Sequence, residues 1–314
     1  MDILRYPDAK WNISGLFSHD AVILKFWDIL WLCQVFPICG VHGSVPCKWN
    51  SGRTVIRHSD RYIEECIQEY NKRNIPLILT FSNYYLSEND LLDDFSNHLL
   101  DLISRYPNSG AIVASPLLAD YIRIKYPKLQ LTMSVLASVN TDVKRDKNYY
   151  EESASKYSRV VIHPDDSFDT ALLADINPKD SFEIMVNENC IRDCSFRRAH
   201  DNLVCIYSIE GTDELFNALA DFSREKCQMF IKENNLLQYL TGKVSCCNFS
   251  YEHLDKIYKM GFRYYKLQGR ADAPASFLYD LTKYILTESA GTYIYKYICN
   301  MISFTEVKDS LTLL

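Results

Sequence analysis

The chain has 314 residues, 47% hydrophobic and 24% charged, and this composition excludes a fibrous, low-complexity or wholly disordered protein. Its formal net charge of −6 argues against a protein held on nucleic acid by bulk positive charge. The first apolar stretch, residues 21–40, carries Lys25 and Asp28 and is typical of neither an export signal nor a membrane span. We therefore expect a cytoplasmic protein whose eleven cysteines, an odd number, are thiols or metal ligands rather than a disulfide scaffold.

Short apolar runs alternate with amphipathic helical patterns along most of the chain. Eight runs are predicted as strands, at residues 35–41, 75–81, 110–114, 129–135, 159–162, 182–186, 243–247 and 262–267. Eight strand–helix units favour an α/β fold, a closed (β/α)8 barrel of the TIM type. A doubly wound open sheet is the alternative, but the glycine-rich nucleotide signature typical of it is missing from the sequence. The predicted organisation is an N-terminal lead-in (1–34), the barrel (35–270) and a C-terminal helical extension (271–314).

Thiols follow the strand predicted at 182–186, at the barrel end where chemistry is expected. Cys190 and Cys194 form a C-x-x-x-C pattern, which would place two sulfurs on one side of a turn if the loop becomes helical at Arg192. The neighbouring Arg197 would favour the thiolate form that binds metal. The remaining ligand candidates are Cys227, Cys246 and Cys247, and thiolate sites select zinc or iron–sulfur clusters. Cys47 is left open, and the other cysteines lie in apolar patterns and are interpreted as buried: Cys33, Cys39, Cys66, Cys205 and Cys299.

Polar residues beyond the predicted strands are candidates for substrate binding and proton transfer. After the first predicted strand, Trp49 offers a stacking face and Arg53 a carboxylate or phosphate clamp, although packing over the barrel end is the alternative for Trp49. Arg270 follows the last strand and is the best candidate for a substrate carboxylate. The other predicted substrate-binding residues are Asn83, Asn187 and Arg197. The residues predicted to transfer protons are His163, Glu188 and His200.

Two segments together resemble the collagenase-like peptidase family. They are F-E-I-M-V-N-E-N-C (182–190), followed by Cys194, and G-F-R-Y-Y-K-L-Q-G-R (261–270). In that family an E-x-x-V stretch precedes a cysteine, and a G-h-x-x-x-K-I-E-G-R stretch closes the barrel. The present sequence departs from this pattern at Gln268, where the family has glutamate, and in its shorter cysteine spacing. Its asparagine-rich form is similar to a divergent bacterial branch.

The resemblance implies a four-cysteine [4Fe–4S] cluster and a substrate that is hydroxylated. Members of the family are implicated in hydroxylation of RNA cytidine or uridine and in oxygen-independent ubiquinone hydroxylation, and several are linked to prephenate as the hydroxyl source. We accordingly predict an iron–sulfur enzyme that modifies a small anionic molecule or an RNA-borne base. Peptide cleavage is not expected, because the sequence has neither H-E-x-x-H nor G-x-S-x-G.

Two other classes of function stay open. One is a zinc-binding or metal-free barrel hydrolase or lyase of a glycan or small-molecule pathway. The other is a non-catalytic binding protein on the same fold. No membrane or DNA partner is expected, whereas a protein partner or a homo-oligomer stays open.

Overall fold

The computed structural model describes residues 2–51, 57–227, 246–269 and 272–311, with the backbone alone for Asn189, Cys246 and residues 302–311. Parallel strands form a closed barrel in the order β1-β10-β7-β6-β5-β4-β3-β2. Its strands are β1 (Lys10–Leu16), β2 (Ile38–Gly43), β3 (Leu77–Phe81), β4 (Gly110–Val113), β5 (Gln130–Met133), β6 (Arg159–Val161), β7 (Phe182–Met185) and β10 (Tyr264–Leu267). The predicted barrel is therefore confirmed.

Helices connect these strands and extend beyond the last one. They are α1 (Asp20–Leu32), α2 (Asp60–Lys72), α3 (Asp94–Ser104), α4 (Pro116–Lys125), α5 (Val135–Val139), α6 (Lys147–Lys156), α7 (Thr170–Asp175), α8 (Arg197–Glu210), α9 (Asp213–Glu225), α10 (Tyr251–Lys259), α11 (Pro274–Ile285) and α12 (Glu288–Leu311). Ser115 and Ser134 each follow a strand and cap the next helix, because their hydroxyl groups accept hydrogen bonds from backbone N–H groups. Within the described residues, no helix combines the length and apolarity needed to cross a bilayer.

Two parts of the predicted strand pattern differ from the structure. Residues 10–16, assigned to a lead-in, form the first barrel strand and pair with both β2 and β10. Their sequence, K-W-N-I-S-G-L, alternates polar and apolar residues, so it lacks the continuous apolar run expected of a buried parallel strand. Residues 243–245 of the strand predicted at 243–247 lie outside the described residues, and Cys246–Asn248 forms β9, which pairs antiparallel with β8 (Asn187–Ile191) instead of joining the barrel.

An excursion therefore leaves the barrel between β7 and β10. It starts with β8, continues through α8 and α9, and returns through β9 to α10. Because β7 points its carboxyl end toward this excursion, the antiparallel pair lies at the barrel end where catalytic groups are expected. The excursion carries the C-x-x-x-C pattern and the three later candidate ligands, Cys227, Cys246 and Cys247.

The two faces of the barrel strands differ in chemistry. Residues such as Trp11 and Ile13 join the hydrophobic core that packs under the helices. Between them, Asn12 donates a hydrogen bond to Glu183 on β7, although β10 separates β1 from β7. A contact across non-neighbouring strands requires the barrel interior, so alternation assigns the polar residues of these strands to the inside.

Candidate functional site at the carboxyl end of the barrel

Arg197, the first residue of α8, lies at the centre of the loops that follow β6 and β7. Its side chain is 9% exposed. Its Nη2 donates to Asp165 Oδ1 at 3.2 Å, to the Ile191 carbonyl oxygen at 2.9 Å and to Cys247 Sγ at 3.6 Å. Its buried Nε has no hydrogen-bond acceptor within the described residues. The arrangement therefore leaves one N–H of a buried cation without a protein partner.

Asp165 connects the separate segments of this site. Besides Arg197, its Oδ1 accepts hydrogen bonds from the backbone N–H of Asp193 at 3.1 Å and from Cys247 Sγ at 3.5 Å. Asp193 has a φ of 53°, a left-handed conformation that aspartate tolerates better than most residues. One carboxylate thus joins the β6 loop, the turn after β8, the start of α8 and strand β9.

Burial favours the protonated form of two thiols of the site, Cys190 and Cys247. Burial raises the pKa of Cys190 to about 12, although Arg197 acts in the opposite direction. Burial likewise raises the pKa of Cys247. The register of β8 and β9 shifts between Glu188 and Ile191, which marks a bulge at Cys190. Glu188 Oε1 accepts the Cys190 backbone N–H at 2.9 Å, so this half-exposed carboxylate fixes the bulge.

These thiols do not assemble into a metal site on the described residues. Within that part of the chain, no three His, Cys, Asp or Glu side chains are grouped closely enough to hold a metal ion. Cys247 is engaged with Asp165 and Arg197. The side chain of Cys246 lies outside the described residues, and Cys227 lies just after α9. The donor set seen here does not by itself fit a four-cysteine cluster.

His163, on the loop after β6, is buried and neutral. Burial is the main reason that its pKa is lowered to about 4. Its Nδ1 accepts a hydrogen bond from the backbone N–H of Asp165 at 3.2 Å. An acceptor at Nδ1 places the proton of the neutral ring on Nε2, so His163 is a hydrogen-bond donor at that atom rather than a base.

Three predicted substrate-binding residues, Trp49, Asn83 and Asn187, make contacts within the protein instead. Trp49 is completely buried, donates from Nε1 to the Asp90 carbonyl oxygen at 2.7 Å and packs edge-on against Phe81, so it offers no free stacking face. Asn83 is also completely buried, and its Nδ2 donates to the carbonyl oxygens of Lys48 and Cys205. The packing interpretation is therefore the right one for Trp49, because the loop after β2 folds over the barrel end.

Asn187 joins the start of β8 to the end of β10. Its Nδ2 donates to the Gln268 carbonyl oxygen at 2.8 Å and to Asp280 Oδ2 at 2.7 Å, and its Oδ1 accepts the Gln268 backbone N–H at 2.8 Å. The Gln268 side chain returns a hydrogen bond to the Asn187 carbonyl oxygen at 3.2 Å. Gln268, where the collagenase-like peptidase pattern has glutamate, therefore links the start of β8 to the end of β10. The substrate role predicted for Asn187 has no free polar atom to support it.

The remaining predictions divide by location. His200 stacks on Phe222 of α9 with ring centroids 5.8 Å apart. Arg53, Arg270 and the side chain of Cys246 lie outside the described residues.

Cys66 and Cys205 are buried as predicted, whereas Cys33 is exposed because it caps the end of α1 rather than continuing its buried face. Cys39, Cys47 and Cys299 are half-buried.

Sequence reasoning missed a polar network inside the barrel. Asn12 Nδ2 donates to Glu183 Oε1 at 3.0 Å, and Asn12 Oδ1 lies 2.8 Å from His42 Nδ1. Lys266 Nζ lies 3.6 Å from Glu183 Oε2. A carboxylate and an ammonium within short apolar strands were the available signal, because charged residues are rarely buried without a partner.

Comparison with known proteins provides one structural match. A solved structure of the U32 peptidase Mk0906 is similar to this chain, with a TM-score of 0.51 and 12% sequence identity over 85% of this chain and 94% of that one. At this identity the likeness shows the fold alone. No protein-family model and no curated protein matches the chain.

Proposed function

We propose that this protein is a barrel enzyme of the collagenase-like peptidase type that modifies a small anionic molecule or an RNA-borne base. The observation that carries the proposal is Arg197, a buried cation whose Nε–H has no acceptor among the described residues and which lies among thiol-bearing segments at the carboxyl end of the barrel. The sequence motifs and the likeness in fold to a U32 peptidase, a member of the collagenase-like family, add support.

The described residues suggest a division of labour. Arg197 Nε donates to an anionic group of the substrate, while Asp165 holds the guanidinium in place. Glu188 is half-exposed and accepts a proton at its carboxylate. His163 donates a hydrogen bond from Nε2. We propose modification rather than peptide cleavage because the sequence has neither H-E-x-x-H nor G-x-S-x-G. Burial also raises the pKa of Cys190, and a protonated thiol is a weak nucleophile.

The [4Fe–4S] cluster stays a prediction. If a cluster is present, Cys190, Cys194 and Cys247 are the described thiols nearest to the site, and a further ligand comes from Cys227 or Cys246. The metal-free hydrolase or lyase stays the second candidate, and zinc is the alternative metal.

Metal analysis after anaerobic purification distinguishes the iron–sulfur enzyme from the zinc enzyme and the metal-free enzyme. The cluster enzyme predicts brown protein with about four irons per chain. Cys190→Ala should lose the iron and the visible absorption, whereas Cys66→Ala, at a buried thiol of α2, should retain both. One tightly bound zinc would support the zinc enzyme. Colourless, iron-free protein from a cluster-competent host would contradict the iron–sulfur reading.

A further inference from the structure

A cavity enters the barrel from the end opposite to Arg197. It has a volume of about 330 Å³, which lies within the size range of small-molecule pockets. Its walls come from the beginnings of the barrel strands and from inward-facing positions deeper in the barrel. They include Asn12, Cys39, Gln130, Thr132, Arg159 and Glu183. TIM barrels usually fill their interior with branched apolar side chains, so a polar cavity here calls for a ligand.

Glu183 supplies an unused acceptor to this cavity. Its side chain is 3% exposed, and its Oε1 accepts the hydrogen bond from Asn12. Within the described residues, no donor forms a hydrogen bond with Oε2. Lys266 Nζ is 3.6 Å from Oε2, an ion-pair distance that leaves the lone pair open. A buried carboxylate oxygen without a hydrogen bond is costly, and a ligand donor would relieve that cost.

Lys266 and the cavity lie on different sides of Glu183. Lys266 pairs with Met185, two residues further along β7 than Glu183, so it approaches from the carboxyl side of the barrel. Lys266 is not among the residues that line the cavity, which reaches Glu183 from the amino side. Oε2 is enclosed in the structure, so a cationic group of a ligand reaches it when the Glu183 carboxylate turns toward the cavity, without occupying the position of Lys266.

Arg159 places a positive charge closer to the mouth. It is the first residue of β6, its guanidinium stacks over the Tyr264 ring, and its Nη1 donates to the Asp180 carbonyl oxygen. Glu183 pairs with Val161, two residues beyond Arg159, which corresponds to about 7 Å along the strand. The cavity thus has a carboxylate at depth, which is paired with Lys266 on its far side, and a guanidinium near its opening.

We propose that this cavity binds a free α-amino acid, with its ammonium group on Glu183 and its carboxylate on Arg159. An α-amino acid carries one cationic and one anionic group on a single carbon, and the cavity is lined by one carboxylate, Glu183, and one guanidinium, Arg159. The amide and hydroxyl groups of Asn12, Gln130 and Thr132 favour a polar side chain on the ligand. The site is separate from Arg197, so its failure would leave the proposed function untouched.

Isothermal titration calorimetry of the full chain with each of the twenty L-amino acids tests this proposal. At least one polar amino acid should bind, and its α-hydroxy acid counterpart should bind at least tenfold more weakly because it lacks the ammonium group. Arg159→Gln should weaken binding at least tenfold. Arg123→Gln is the matched control, because Arg123 also stacks on a tyrosine and donates to a carbonyl oxygen, but on the outside of the barrel.

A blocking variant keeps the test independent of the buried charges. Gln130 is exposed at the mouth, so Gln130→Trp should abolish binding while the melting temperature stays unchanged. Three results would overturn the proposal: no amino acid binds to the unmodified protein, the hydroxy acid binds equally well, or neither Arg159→Gln nor Gln130→Trp weakens binding.

Discussion

The charged cluster inside the barrel and the charged cluster at its carboxyl end are built in different ways. In the barrel interior, Asn12, Glu183 and Lys266 project from strands whose register fixes their positions. At the carboxyl end, Asp165 and Arg197 come from a loop and a helix start, and their contacts depend on the turn after β8 and on β9. The first cluster belongs to the scaffold, whereas the second depends on how several connections meet.

This difference shows where the fold places adaptable chemistry. A strand residue can change its partners only if the register changes, which would turn the whole strand over. A loop residue can be exchanged without disturbing the barrel, which is why binding and catalytic groups concentrate there. In the carboxyl-end cluster, loop residues can therefore adjust their contacts to the substrate. In the interior cluster, the strands hold the residues in a fixed, preformed pocket.

The largest expected effect is at Arg197. Arg197→Met should lower the free energy of unfolding by about 4 kcal/mol, because it leaves the Asp165 carboxylate without its cation in a site with little solvent. Urea denaturation measures the change. Arg198→Met is the matched control, since Arg198 pairs with Asp142 on the surface and should lose less than about 0.5 kcal/mol. Equal losses in the two variants would show that the Arg197 contacts are no stronger than surface ones.

Lys266→Met should have the next largest effect, a loss of about 3 kcal/mol in the free energy of unfolding. The ion pair with Glu183 is buried but longer than a hydrogen bond, so its removal costs less than removal of Arg197. Lys156→Met, which breaks the exposed pair with Glu152 on α6, is the control and should be nearly neutral. A neutral result for Lys266→Met would mean that the interior cluster does not stabilise the barrel.

His163 should make stability depend on pH. Its pKa is about 4 in the folded protein and near 6.5 when unfolded, so the unfolded chain binds more protons between these values and stability falls as the pH drops. The loss from this residue between pH 6.5 and pH 5 should be about 2 kcal/mol. Urea denaturation of His163→Gln should show a flatter pH dependence than the unmodified protein. His98→Gln, on α3, should leave the slope unchanged; the same slope in all three proteins would contradict the buried neutral state of His163.

The sequence was sufficient for the barrel but not for all of its strands. Short apolar runs that alternate with amphipathic helical patterns predict the closed barrel, because the length and order of these segments can be read directly from the sequence. Strand β1 escaped detection since Asn12 and Ser14 face a polar interior, where the usual apolar signal is absent. Residues 243–247 are predicted as a barrel strand because an extended segment does not reveal whether its partner is parallel or antiparallel.

The candidate site was predicted in its position but not in its partners. Cys190 and Arg197 lie at the carboxyl end of the barrel, as the strand order indicated. The role of Asp165 depends on contacts across more than 80 residues, such as the one with Cys247, and no short motif encodes these. Trp49 and Asn83 are predicted to bind substrate, but they pack within the protein. The sequence does not distinguish polar or aromatic loop residues that face a substrate from those that pack a barrel end.

A turnover assay tests most directly whether chemistry takes place around Arg197. Purified protein is incubated anaerobically with a small-molecule extract and, separately, with total RNA, and mass spectrometry compares the molecules or hydrolysed nucleosides before and after. The account predicts a new mass that requires the unmodified protein, is lost in Arg197→Lys and persists in Arg159→Gln. Unchanged extract and RNA would contradict an enzyme and favour the binding-protein alternative, and a product that persists in Arg197→Lys would place the chemistry elsewhere in the molecule.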